Sequence, residues 1–178
     1  MEKIVYQGKI IEVVEKEVKI NDKAILFEIA RRSPGVRIII RNGNKIYLSK
    51  EFRHEIKRYD MRLPGGKVFD TLPEYNNAIE NNVDIDESAR QAALKEAKEE
   101  AGIEINNLKF LHKSVCGATV LWDLYFFVTT DFREREQELE EDEDIEMEWV
   151  DAKEVKEMCL DGRISEERSA LVLLRYLS

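Results

Sequence analysis

Several features that often reveal a function are scarce in this sequence. Its 178 residues include only two cysteines, Cys116 and Cys159, whose spacing fits no metal-binding motif and gives no reason to expect a disulfide. The two histidines, His54 and His112, stand apart, so neither is expected to anchor a catalytic triad or a zinc site. We therefore expect a protein of a reducing compartment, the cytoplasm.

An excess of positive charge and long apolar runs are lacking as well. The formal net charge of −9 argues against a nucleic-acid partner, but small anionic substrates stay open because a metal ion can invert the local field. No apolar run approaches the roughly 20 residues of a membrane span, and the N-terminus does not match a signal peptide. A hydrophobic content of 43% with 37% charged residues predicts one soluble globular domain with no membrane partner.

The order of local patterns predicts a mixture of strands and helices. Residues 3–31 alternate between apolar and charged side chains, which is typical of an antiparallel sheet with an exposed face. Asn42-Gly43 lies between two apolar runs and predicts a hairpin. Pro73 predicts the start of a short helix, and a longer helix is expected at about residues 87–101.

The second half of the chain continues in the same way. We expect strands at residues 108–115, 121–130 and 146–150, followed by helices at 151–160 and 165–177. Residues 131–144 carry nine carboxylates in fourteen positions, which predicts a mobile loop.

The most informative group of ionisable side chains lies in residues 94–103. This is an alanine-rich helical stretch that ends at a glycine. Glu96, Glu99 and Glu100 are spaced i, i+3 and i+4, so their carboxylates share one helix face and repel one another. A hard divalent cation bound by oxygen atoms would compensate this repulsion. The alternative is a solvated acidic face in a highly charged chain.

This stretch resembles the signature of the Nudix hydrolases, Gly-x5-Glu-x7-Arg-Glu-U-x-Glu-Glu-x-Gly-U, in which U is aliphatic. The matching residues are Gly66, Glu87 and the run KEAKEEAGI at 95–103. Two departures stand out. Lys95 replaces the arginine and lacks its planar fork, and the segment between the first glycine and Glu87 has grown to residues 67–86.

The resemblance extends to a branch of the family. Phe52-Arg53, the run LPGGK at 63–67 and the acidic run at 141–146 look like the ADP-ribose pyrophosphatases, and the tail is also similar to GDP-mannose hydrolases. The run SVCGAT at 114–119 departs from the Ser-Pro-Gly-Gly common in relatives. The implied fold is an α/β/α sandwich with a mixed central sheet at residues 41–178. An N-terminal antiparallel sheet at residues 1–40 is expected to be swapped within a homodimer.

The resemblance also implies roles for individual residues. Glu96 and Glu100 are expected as the principal Mg²⁺ ligands, with Mn²⁺ as an alternative ion. Glu99 would be a further ligand and catalytic candidate, and the backbone carbonyl of Gly65 would complete the set. Glu87 is expected to support the loop before the helix or Lys95.

The substrate and the general base are assigned in the same way. Arg53 is expected to contact the phosphate or the base of the nucleotide, and Gly66 to let the backbone approach the substrate. The general base is expected in the acidic loop, because carboxylates committed to metal are weakly basic. Glu141 is the first candidate and Glu143 the second.

The implied activity is Mg²⁺-dependent hydrolysis of a nucleoside diphosphate linked to a sugar. ADP-ribose, which would give AMP and ribose 5-phosphate, is the favoured substrate. The alternatives are hydrolysis of GDP-mannose or another nucleotide sugar, and pyrophosphatase action on damaged nucleoside triphosphates. A non-catalytic nucleotide-sensing module is the alternative from another functional class.

Overall fold

A computed structural model of the protein describes residues 2–54, 56–139 and 144–178. Within these ranges, ten strands form two sheets and four helices accompany them. The strands are β1 (Glu2–Gln7), β2 (Glu12–Ile20), β3 (Lys23–Arg31), β4 (Gly35–Asn42), β5 (Lys45–Arg53), β6 (Arg58–Arg62), β7 (Ile103–Ser114), β8 (Val120–Leu121), β9 (Leu124–Glu134) and β10 (Ile145–Asp151). The helices are α1 (Leu72–Glu80), α2 (Ile85–Glu99), α3 (Ala152–Asp161) and α4 (Glu167–Tyr176).

The larger sheet has the strand order β10-β5-β4-β9-β7. β6 pairs with the second half of β5, from Ser49 to Arg53. β4 and β9 run parallel, from Gly35 opposite Leu124 to Ile40 opposite Thr129. The other pairs in this sheet are antiparallel. β4 and β5 are joined through Gly43, whose positive φ of 57° suits a tight hairpin. The predicted hairpin and the mixed central sheet are both confirmed.

The core lies on both faces of this sheet because side chains alternate along each strand. On β4, Val36, Ile38 and Ile40 pack in the cluster that contains the alanines of α2. Ile39 points the other way, into the cluster that contains residues of α3 and α4. Each of these apolar side chains contributes about 1.5–3 kcal/mol by its burial. The predicted α/β/α sandwich is therefore confirmed.

The smaller sheet has the order β1-β2-β3-β8. Its first three strands are antiparallel, as expected, but β8 joins β3 in parallel, with Ala30 opposite Val120. Residues 35–40, which the sequence-based division grouped with the N-terminal sheet, lie in β4 of the larger sheet. The division of the chain into an N-terminal sheet and a following domain stays a prediction.

The inserted segment at 67–86 contains the predicted short helix α1. Thr71 and Glu74 form a reciprocal capping box at its start. From α1, the amide of Asn76 donates to both carboxylate oxygens of Glu12, at 3.2 and 3.0 Å. Glu12 is fully buried and also accepts a 2.6 Å hydrogen bond from Arg31. The insertion is thus fastened to the smaller sheet through a buried polar cluster.

Residues 131–144 do not form a loop throughout. β9 continues to Glu134, because residues 131–134 pair with the start of β7, where Ile105 lies opposite Phe132. The expectation of a loop beginning at 131 is therefore wrong for these four residues. Of the helices in the described ranges, none has both the length and the apolar character to cross a membrane.

Candidate active site

Three glutamates at the C-terminal end of α2 line one cleft. The helix begins at Ile85 and is capped by Asp84, whose carboxylate accepts hydrogen bonds from the backbone N–H groups of Asp86 and Glu87 at 3.0 and 3.1 Å. Its buried face consists of alanines. The predicted metal ligands, which we call the acidic group (Glu96, Glu99 and Glu100), line a cleft of about 530 Å³.

The glycine pair before the insertion meets this helix end directly. The backbone N–H of Gly65 donates to Oε2 of Glu100 at 3.0 Å. Gly65 has a φ of 138°, and a Cβ there would collide with the carbonyl of Val36. A Cβ on Gly66 would collide with the carboxylate of Glu96. Glycine is therefore required at position 65, whereas a side chain at position 66 would displace the carboxylate of Glu96.

The donor set of the acidic group fits a hard divalent cation in chemistry, since it consists of carboxylate oxygens next to a backbone carbonyl. In the described parts of the chain, however, no three His, Cys, Asp or Glu side chains converge to hold a metal ion. Glu100 instead accepts the Gly65 N–H, and Glu99 lies 3.7 Å from the Lys95 amine. The carbonyl oxygen of Gly65 accepts a 2.9 Å hydrogen bond from Arg37.

Arg53, the predicted substrate-binding arginine, also lines the cleft. It is the last residue of β5, and its Nη2 lies 2.6 Å from the carboxylate of Glu51. Its Nε is buried and has no hydrogen-bond partner among the described residues. A buried donor of this kind is costly unless a ligand satisfies it, which is consistent with the predicted role.

Besides Arg53 and Lys95, four basic side chains line the same cleft, and the sequence analysis missed them. Together with Arg53 they form what we call the basic group, Arg32, Arg37, Arg53, Arg62 and Lys67. Only Arg37 carried a signal, since a charged residue interrupts the otherwise apolar run from Val36 to Ile40. Arginine clusters of this kind suit phosphate oxygens.

Trp122 was missed as well, and it organises two of the arginines. The guanidinium carbons of Arg32 and Arg168 each lie 4.1 Å from the centre of its ring. Burial, followed by repulsion from Arg168 and Arg37, lowers the pKa of Arg32. The tryptophan face attracts such cations and so helps to hold like charges near one another.

Comparison with known proteins identifies the family of this site. The family model of the NUDIX domain matches residues 31–170. This chain belongs to the Nudix family. The match includes the acidic group and every member of the basic group, and the chain is a hydrolase that acts on pyrophosphate bonds.

A solved structure is similar over nearly the whole chain. The crystal structure of an ADP compounds hydrolase superposes with a TM-score of 0.73 at 19% identity, covering 99% of this chain and 89% of that one. At this identity the likeness concerns the fold. No match was found among curated proteins.

In this Nudix hydrolase, the two unusual features of the signature have local contacts. Lys95 takes the place of the arginine and lies near Glu99 on the cleft side of α2. Glu87 accepts a 2.6 Å hydrogen bond from Gln91 and lies 3.7 Å from Arg90. Both partners belong to α2 itself, and Glu87 is exposed at the start of the helix.

The candidates for the general base, Glu141 and Glu143, lie outside the described residues. The chain on either side of them is described. The side chain of Gln137 donates to the Glu100 carbonyl at 2.5 Å, and the backbone of Glu138 donates to the Glu99 carbonyl at 2.9 Å. Ile145 lines the cleft. Both flanking segments therefore contact or line the same site.

Proposed function

We propose that this Nudix hydrolase cleaves the pyrophosphate bond of a nucleoside diphosphate linked to a sugar, with ADP-ribose as the favoured substrate. Water adds across the P–O–P bridge, and the products are AMP and ribose 5-phosphate. The observation that carries the proposal is one cleft in which the acidic group and the basic group lie together. Such a cleft can bind a metal-bound anion and the oxygens of two phosphates at once.

The choice of substrate has two supports. The basic group brings five cations to one cleft, of which Arg37 and Arg62 already pair with Glu166 and Asp60, and a cluster of this kind suits the oxygens of two phosphates. The similar solved structure is described as an ADP compounds hydrolase, which favours an adenine nucleotide. GDP-mannose and nucleoside triphosphates are the competing substrates, and a sensor without turnover is the competing class.

In this proposal the acidic group and the Gly65 carbonyl would hold Mg²⁺, with Mn²⁺ as the alternative ion. When bound, the metal neutralises phosphate charge and lowers the pKa of bound water. Arg53 and Gly66 contact the substrate, and the buried Nε of Arg53 is a donor still available for a phosphate oxygen. Glu141, or Glu143 in second place, accepts the proton of the attacking water.

We further infer that the protein forms a homodimer. Large apolar side chains of the smaller sheet lie exposed, among them Tyr6 with 60% and Leu26 with 56% of its surface accessible. Exposed apolar side chains of this size are found at protein interfaces. In this homodimer we expect Arg53 to lie near a cleft shared by the two subunits. A cytoplasmic location is part of the proposal, in keeping with free Cys116 and Cys159.

A panel of substrates tests the activity. Purified protein with Mg²⁺ is offered ADP-ribose, GDP-mannose and nucleoside triphosphates, and the released nucleotide is measured by chromatography. We expect AMP from ADP-ribose as the fastest product. Pyrophosphate release from triphosphates alone would replace the proposal with house-cleaning hydrolysis, and tight binding without turnover would indicate a sensor.

Sedimentation tests the dimer. We expect a dimer at micromolar protein, and we expect Leu26→Glu to dissociate it because a charge would enter an apolar contact. Lys153→Gln, an exposed change on α3 away from the smaller sheet, is the control. A monomer that hydrolyses ADP-ribose at full rate would contradict the swapped dimer.

A further inference from the structure

Arg37 occupies a position where an apolar residue is expected. On β4, Ile39 contributes to the cluster formed with α3 and α4, and Arg37 lies two residues earlier on the same face. Only 6% of its surface is accessible. A buried arginine carries a large desolvation penalty unless its donors are satisfied. Its contacts therefore indicate why it is present.

One side of the Arg37 guanidinium is anchored at the start of α4. Its Nε donates to Oε2 of Glu166 at 3.3 Å. The same carboxylate oxygen accepts a 2.5 Å hydrogen bond from the hydroxyl of Ser169. Glu166 is thereby fixed from two sides, and the guanidinium has a defined orientation.

The other side of the guanidinium meets the glycine loop. Nη1 of Arg37 donates to the carbonyl oxygens of Val36 and Gly65, both at 2.9 Å. Gly65 in turn donates its N–H to Oε2 of Glu100. A continuous series of contacts thus runs from Glu166 through Arg37 and Gly65 to Glu100.

We propose that Arg37 is a positioning residue of this site, which holds the carbonyl of Gly65 in place and through that glycine the carboxylate of Glu100. The inference rests on the proposed function, because it assigns Gly65 and Glu100 to the metal site. One lone pair of the Gly65 carbonyl accepts from Arg37, and the second is left for a cation. The α4 helix, which contributes none of the predicted ligands, thereby helps to set the geometry of the metal site.

The competing explanation is that Arg37 and Glu166 are only a buried ion pair needed for folding. The two explanations differ in what happens when both charges are removed. Replacing a buried pair by uncharged residues of similar size is often neutral for stability, whereas breaking it on one side is strongly destabilising. A double variant therefore separates folding from positioning.

The test compares Arg37→Met, the double variant Arg37→Met with Glu166→Gln, and Arg37→Lys. Arg41→Met is the matched control, because Arg41 lies on the same strand and donates to a glycine carbonyl, Gly43, at 2.8 Å outside the cleft. Mn²⁺ affinity is measured by calorimetry without substrate, the unfolding midpoint by urea titration, and kcat and KM with ADP-ribose.

We expect the double variant to unfold near the wild-type midpoint while its Kd for Mn²⁺ rises about 10- to 100-fold, the usual effect of losing an outer partner of a metal ligand. We expect kcat to fall with little change in KM, and Arg41→Met to match the wild type. Arg37→Lys keeps the charge opposite Glu166, so it supplies the same comparison if the methionine variants do not fold.

A wild-type Mn²⁺ affinity in the double variant, or in Arg37→Lys, would overturn the inference and leave the proposed function intact. A wild-type protein that binds Mn²⁺ but cleaves no nucleotide would instead overturn the proposed function. In that case the effect of Arg37 on Mn²⁺ affinity would still decide whether it positions the site.

Discussion

The acidic group and the basic group of the cleft are assembled in different ways. The acidic group comes from five consecutive positions of one chain segment, 96–100, at the end of α2. The basic group comes from β4, β5, β6 and two separate loops. Its members meet only because the larger sheet brings those strands together. A local pattern thus encodes the carboxylates, whereas the arginines depend on the whole fold.

The largest effect is expected from the carboxylate proposed as the general base, which is distinct from the carboxylates proposed to bind metal. We predict that Glu141→Gln lowers kcat roughly 10²- to 10⁴-fold, the usual range for a lost general base, while Mn²⁺ affinity and KM change little. Steady-state kinetics and calorimetry measure these quantities. Glu143→Gln is the comparison. If both variants keep kcat within a few-fold of wild type, the base lies elsewhere.

The next effect tests the acidic group itself. Glu96→Gln and Glu100→Gln should each lower kcat by about 10²-fold or more, because the metal supplies several kcal/mol of transition-state stabilisation. Both variants should also need more Mg²⁺. Glu104→Gln is the control. Glu104 lies on β7 outside the cleft and pairs with Arg135. Wild-type Mg²⁺ dependence in both cleft variants would remove them as ligands.

A smaller effect is expected from the basic group. Arg53→Ala should lower kcat/KM about 10- to 100-fold, since a hydrogen bond to a charged group contributes about 1.5–3 kcal/mol. Arg58→Ala is the matched control, because Arg58 lies opposite Arg53 on β6 and is exposed. Equal kinetics of the two variants would show that Arg53 does not contact the substrate.

The smallest effect concerns stability without metal. Glu96→Gln should raise the free energy of unfolding by a few tenths of a kcal/mol in metal-free buffer, because it relieves repulsion with Glu99 and Glu100. Urea unfolding with a chelator present measures this change. Loss of the fold would indicate instead that the carboxylates form a structural network with lysines.

The same contrast explains what sequence could predict. The helix α2, its glycine stop and the hairpin at Gly43 follow from residues adjacent in sequence, and each was predicted. The parallel pairing of β8 with β3 joins residues 90 positions apart, Ala30 and Val120, and no local pattern encodes it. Trp122 was missed for that reason, because only the folded chain brings Arg32 and Arg168 to its ring.

Charge composition also gave a wrong prediction for residues whose structure depends on strand pairing. Residues 131–134 look like part of an acidic loop by composition, but a strand partner in β7 satisfies their backbone groups. Arg37 visibly interrupts an apolar run, but only its partners Glu166 and Gly65 explain why a charge lies there. Composition predicts solvation, and it gives no information about partners distant in sequence.

The buried carboxylate of Glu12 limits how this Nudix domain can be re-engineered. Because Asn76 of the insertion supplies two of its hydrogen bonds, shortening residues 67–86 to the usual length would leave a buried acceptor short of partners. The insertion therefore cannot be exchanged for another loop without affecting Glu12. A loop graft at this position would need a compensating change at Glu12, for example to Gln or Leu, made in the same design step.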